Sequence, residues 1–232
     1  MRLDIANSDQ FGRMLDALAS DVVGAAIHSR LHSDLRSSIP SHATAFSQSP
    51  AFWSLTFGAH FDAFLSRLHR AYDQHPDSLS LVNLLDTISE NLALFASDSG
   101  TRFIISPGAH SPDPGMLAEH RQSVAPSDPL VKRLIALRGN VYAHRNALNV
   151  IEELGLERRF GLSFDDLEDL TQRAVGILNT YSGLFRGSTW STRMVGHDDY
   201  RIVLEAVQRD TEHQDAAVRR EIQGFEGQGT AT

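Results

Sequence analysis

Arg138 and His144 stand six positions apart in the stretch LRGNVYAHRNA, residues 137–147. A guanidinium and an imidazole at this range suit phosphodiester chemistry. The imidazole has the right ordinary pKa to move protons near neutral pH. The guanidinium offers a planar fork to phosphate oxygens and stabilises the charge that builds in the transition state. RNA supplies its own nucleophile, the ribose 2′-hydroxyl, so such a pair requires no metal, and no cofactor is expected.

Asp128 as cap and Pro129 at the first helical position predict a helix from Pro129 to about Ala147. At about 100° per residue, Leu134, Leu137, Val141 and Leu148 fall in a narrow stripe about Leu130. His144 lies inside that stripe, and Arg138, with Arg145 beside it, lies just beyond the opposite edge. The two groups therefore point roughly 120° apart on one straight helix and do not easily meet within one chain. A two-fold dimer packed along this seam, with Leu134, Leu137 and Val141 at or beside the contact, brings Arg138 of one subunit toward His144 of the other. From Pro129 to Phe160 the chain carries six basic and three acidic residues, a net of +3. The plainer alternative makes His144 a hydrogen-bonded core histidine and has the arginines cover the helix edge.

The rest of the chain sets limits on this reading. Its net charge of −8 over 232 residues disfavours general binding of nucleic acid, so RNA contact needs a local basic patch. With no cysteine, disulfides and thiolate metal sites are excluded. The N-terminus MRLDIANSDQ lacks the pattern of a signal peptide, and no apolar run approaches the roughly 20 residues of a membrane span. The expectation is a soluble cytoplasmic protein with no membrane partner.

Helical periodicity dominates. Ser8 is read as the cap of a helix running from Asp9 to about Arg36, with Phe11, Leu15, Leu18, Val22 and Ala25 in register. After Ile39-Pro40-Ser41 comes a short polar stretch, and Pro50 opens the next helix. There Phe57, Phe61, Phe64, Leu65, Leu68 and Tyr72 make an aromatic-rich stripe expected at the centre of the core. His75-Pro76-Asp77 ends it. Ser80 leads into a helix over Leu81 to Ala96. Residues 97–128 read as a long Ser/Gly/Pro-rich loop with one short helix near Met116 to Gln122. Ser163 with Asp166 forms a capping box ahead of Leu167, Leu170, Ala174, Ile177, Leu178, Tyr181 and Leu184. A loop over 187–197 precedes a polar helix from about Asp198 to Ile222, and a disordered tail is expected beyond it. The fold class is all-α. The expected organisation is a helical bundle over 1–186, a loop and helix over 187–223 packing on the bundle or a partner, and a tail over 224–232.

His28 and His32 stand four apart on the first helix, a spacing that can chelate a metal, but no third ligand is tied to them. Packing or hydrogen bonding is their expected role, and no metal site is assigned. The histidines at 42, 60, 69, 75, 110, 120, 197 and 213 show no ligand pattern. No P-loop, dinucleotide fingerprint or serine-hydrolase elbow occurs.

The stretch Arg138-Gly139-Asn140-Val141-Tyr142-Ala143-His144 resembles the HEPN superfamily, whose hallmark is Arg, four to six residues, then His on a late helix of a bundle. It is most similar to the AbiU-type abortive-infection branch. IHSRLHSDLR (27–36), RLHRAYD (67–73) and GLSFDDLEDL (161–170) extend the resemblance over roughly residues 20–207. One departure is Gly139, where a polar residue usually follows the Arg.

The resemblance implies a HEPN-like helical bundle that dimerises through the helix 129–147. For active members it implies a metal-independent endoribonuclease leaving a 2′,3′-cyclic phosphate, a toxin-like effector in antiviral defence. Arg138 is then the phosphate and transition-state ligand and His144 the general acid or base. Lys132, Arg133, Asn140, Tyr142 and Arg145 are the candidates for RNA contact, and an antitoxin is a candidate partner. The alternative is a catalytically silent HEPN module that binds RNA, a nucleotide or a partner protein.

Overall fold

The computed structural model describes Ile5 and residues 7–95, 111–138 and 160–228. Among the described residues eight α-helices follow in order: α1 (Ser8–Ser38), α2 (Ala43–Gln48), α3 (Pro50–Ala71), α4 (Leu81–Glu90), α5 (Pro114–Ser123), α6 (Pro129–Leu137), α7 (Phe164–Arg186) and α8 (Asp199–Gln228). A 3₁₀ turn, Leu92–Phe95, follows α4. No strand occurs among the described residues, and no described helix is long and apolar enough to cross a membrane. The protein is all-α, as the periodicity predicts.

The chain divides into two compact units: Met1–Ser29 with Asp62–Thr192, and Arg30–Phe61 with Arg193–Thr232. In the first, α1 contributes Phe11, Leu15, Leu18 and Val22, all buried. From α3 come Phe64, Leu65, Leu68 and Tyr72, from α4 Leu81, Leu84, Leu85 and Ile88, and from α7 Leu167, Leu170, Ile177, Leu178 and Tyr181. Each large apolar side chain so buried contributes about 1.5–3 kcal/mol. The Tyr72 hydroxyl donates to the Leu170 carbonyl at 2.7 Å, which satisfies a polar atom taken deep into this core. Arg67 donates to the Ser20 carbonyl at 2.8 Å and Arg70 pairs with Asp21, so α1 and α3 are tied by charge as well as by packing.

In the second unit Leu35, Ala45, Trp53 and Leu204 are buried together, flanked by Leu31, Phe46, Phe57, Tyr200 and Val207. The Trp53 indole donates to the Ala45 carbonyl at 3.2 Å. Residues 193–232 thus group with 30–61.

Several sequence expectations change here. The first helix is capped by Asn7, whose side-chain oxygen accepts from the Gln10 N–H at 3.0 Å, while Ser8 is already helical. The polar stretch before Pro50 contains α2, held by the burial of Ala45. The aromatic stripe on α3 is shared out: Phe64 and Tyr72 are buried in the first unit, whereas Phe57 and Phe61 are half-buried in the second. The helix expected over Leu81 to Ala96 ends at Glu90. The final helix runs to Gln228, past the Ile222 at which the tail was expected to begin. A single glycine inside a helix costs only about 1 kcal/mol against Ala, so Gly224 does not halt a helix already propagating. The loop residues 96–110 and the segment 139–159 lie outside the described residues.

Candidate functional site

Arg138 is placed by how α6 begins. The Asp128 carboxylate accepts from the Leu130 and Val131 N–H groups at 2.9 and 3.0 Å, and Pro129 sits at the first position. Its other oxygen pairs with Arg173 of α7 at 3.1 Å. Val131, Leu134 and Leu137 are buried and fix the rotation of the helix. Arg138 follows with φ −56° and ψ −50°, its N–H bonded to the carbonyls of Leu134 and Ile135, so helical geometry carries through to the guanidinium's own Cα.

The second wall comes from the end of α3. Beyond Ala71 the Asp73 N–H still reaches the Arg70 carbonyl at 3.2 Å. The Asp73 carboxylate then accepts from Arg138 Nη1 at 2.7 Å through Oδ2 and from the His75 N–H at 3.0 Å through Oδ1. Arg138 is 48% exposed and Asp73 18%. Partial burial works against the Asp73 carboxylate. The hydrogen bonds from His75 and Arg138, with the positive charge of Arg138, outweigh it and hold the group below its ordinary pKa.

His69, one turn earlier on α3, is buried. Burial first, then the charge of Arg138, pushes its imidazole down to about 4, against a smaller opposing effect of a hydrogen bond with the Leu134 backbone and of Asp73. It is therefore neutral at physiological pH. Gln74 donates to the carbonyls of Tyr72 at 2.8 Å and Val124 at 3.1 Å. Between these elements opens a pocket of about 80 Å³, lined by His69, Tyr72, Asp73, Gln74, Leu134, Ile135 and Arg138. Chemically it presents one anchored guanidinium, one carboxylate and a neutral imidazole wall. An anion approaching Arg138 meets a cation whose direction is already set.

The other candidates are distributed as follows. Lys132 is exposed. Arg133 donates through Nη1 to the Gly161 carbonyl at 2.5 Å, at a turn where Gly161 has φ +62°, so part of its fork is spent on structure. His144, Asn140, Tyr142 and Arg145, with Gly139, lie outside the described residues. Leu134 and Leu137, expected at or beside a dimer seam, are buried inside the first unit. The exposed face of α6 carries Lys132, Ile135 and Ala136, with Arg138 just beyond it. His32 lies against Phe57 and Phe61 with ring centroids 5.6 and 5.4 Å away, and burial lowers its pKa. Among the described residues no three His, Asp or Glu side chains converge as a metal site would require.

Sequence reading did not single out Asp73, His69 or Gln74. The available signal was RLHRAYD itself, which puts His69 and Asp73 four residues apart, near one face at the end of α3, just before the His75-Pro76 break.

No curated protein and no solved structure matches the chain. The HEPN family model described as AbiU2 matches residues 8–206, a span that takes in α1 to α7 and the first part of α8. A match over this span, which includes Arg138 at the end of α6, shows that the chain belongs to the AbiU2 family of abortive-infection-related HEPN modules.

Proposed function

We propose that this protein is a metal-independent endoribonuclease acting in abortive infection. Arg138 binds the scissile phosphate, and His144 moves the proton as the ribose 2′-hydroxyl attacks phosphorus. The bond to the 5′-oxygen breaks, that oxygen takes up a proton, and a 2′,3′-cyclic phosphate remains. The observation that carries this reading is the placement of Arg138. Its guanidinium is half-exposed at the rim of a pocket and anchored at one end by Asp73, in a chain of the HEPN AbiU2 family. In this reading a homodimer through α6 and the residues that follow it supplies His144 from the second subunit. Because Leu134 and Leu137 are buried within one chain, the contact on the described part of that helix falls to the face around Ile135.

The test is purified protein with single-stranded RNA in EDTA, scored for cyclic-phosphate ends. Cleavage that His144→Ala and Arg138→Ala both abolish supports the reading. Cleavage that survives His144→Ala places the active site elsewhere.

One observation favours a second reading. The Arg138–Asp73 ion pair already partly neutralises the cation, which suits a catalytically silent module that binds RNA, a nucleotide or a partner protein. RNA binding by wild type without any cleavage across varied RNAs would select this alternative.

A further inference from the structure

We propose that Asp73 is the positioning residue of the Arg138 site, holding one end of the guanidinium so that its remaining N–H donors face an RNA phosphate. This rests on the reading of Arg138 as the phosphate ligand. Among the described residues Asp73 is the guanidinium's one hydrogen-bond partner, at 2.7 Å from Nη1. The carboxylate is itself held. Its Oδ1 accepts from the His75 N–H at 3.0 Å, and its backbone N–H is bonded to the Arg70 carbonyl at 3.2 Å. The anchor is therefore a fixed point at the end of α3. A guanidinium has five N–H donors in a rigid fork, and one bond to a carboxylate leaves the others with a defined direction.

Among the described residues lining the pocket, no second carboxylate competes with Asp73. Of the seven side chains lining the pocket, Arg138 and Asp73 carry its charge at neutral pH, since His69 is buried and the other four are uncharged. The long, flexible arginine side chain would otherwise sample many rotamers at a half-exposed position.

The same carboxylate repels the ligand. A phosphate on the free edge of Arg138 sits close to the Asp73 charge, so Asp73 weakens binding while it improves geometry. Removing only the charge should then move binding and turnover in opposite directions. A residue of merely structural importance would lower both. A guanidinium misplaced by about 1 Å costs on the order of 10²-fold in rate, and loss of one nearby like charge tightens binding by about 3- to 10-fold.

The experiment compares full-length wild type, Asp73→Asn, Asp73→Glu and Arg138→Ala. Binding is read by fluorescence anisotropy with a short single-stranded RNA whose 2′-hydroxyls are methylated, which removes the nucleophile and leaves every phosphate. Cleavage is read in single turnover on the unmodified RNA in EDTA, and folding by thermal melting. Asp73→Asn is expected to bind the methylated RNA about threefold tighter or more and to cleave about 10- to 100-fold more slowly. Asp73→Glu should recover part of the rate, and Arg138→Ala should erase the gain in binding when combined with Asp73→Asn. Equal binding by wild type and Asp73→Asn, or parallel loss of binding and cleavage in a folded variant, overturns the positioning role. Should wild type bind but never cleave, the nuclease reading fails alone. Tighter binding by Asp73→Asn, reversed by Arg138→Ala, would then still support Asp73 as the anchor. If wild type does not bind the methylated RNA, both readings fall together.

Discussion

Arg138 and Asp73, 65 positions apart in the chain, meet in a 2.7 Å ion pair at the rim of a pocket formed by the ends of α6 and α3. The pair makes the guanidinium both directed and partly neutralised.

Under the proposed nuclease reading, His144→Ala and Arg138→Ala should each lower RNA cleavage by about 10²- to 10⁴-fold, by loss of proton transfer and of transition-state charge stabilisation respectively. The double variant should be little worse than either single one, because groups acting as a unit are not additive. Single-turnover rates of the three proteins check this. Fully multiplicative losses would show that the two residues act independently.

His69 should make the fold acid-sensitive. Its folded pKa is lowered from 6.5 to about 4, so between these values the unfolded chain binds more protons than the folded one. Stability contributed by the neutral ring is complete above about pH 6.5 and is lost as pH falls toward 4. The full loss is about 3 kcal/mol. His32, His60 and His120 are shifted in the same direction, so the test is a difference. Urea unfolding of wild type and His69→Gln at pH 7 and pH 4.5 should show a shallower fall in the variant. Parallel curves would mean that the His69 ring does not titrate as its burial requires.

Asp128→Ala should destabilise the protein by about 1–2 kcal/mol, because two N–H groups at the start of α6 lose their acceptor. Asp128→Ser should cost less, since it keeps the cap and loses only the contact with Arg173. Chemical denaturation of both variants separates the two contributions. If Ser is no better than Ala, the ion pair with Arg173 stabilises the protein more than the cap does.

Leu134→Ala should cost about 2–5 kcal/mol, as expected for a fully buried leucine, whereas Lys132→Ala should change stability by less than about 0.5 kcal/mol. Ile135, which is 37% exposed, reports on self-association instead. Ile135→Asp should leave the protein folded by circular dichroism and shift a dimer toward monomer in light scattering. A dimer unaffected by that change would place the subunit contact away from this face of α6.

The helix starts at Pro50, Pro129 and Phe164 were legible in the chain itself. Asp128-Pro129 and the Ser163–Asp166 box act through groups two or three residues apart, so their chemistry is complete within one turn. The same holds for the end of α7, where Gly187 takes the left-handed conformation at φ 68°. Apolar spacing on α1 and α7 named most of the buried residues correctly, and the Arg–His spacing pointed to the helix that bears Arg138. Other features were decided only in three dimensions. α2 looked polar because its burial depends on Trp53 and Leu204, the latter distant in sequence. The aromatic stripe of α3 looked continuous, yet its residues are shared between two units because a helix longer than one core passes from one set of neighbours to another. His69 showed no ligand pattern, and Asp73 stood only as the last residue of RLHRAYD. Their meaning comes from α6 arriving beside them, and long-range contact of this kind leaves no periodic trace in either segment, since each helix satisfies its own backbone and its own stripe without reference to the other.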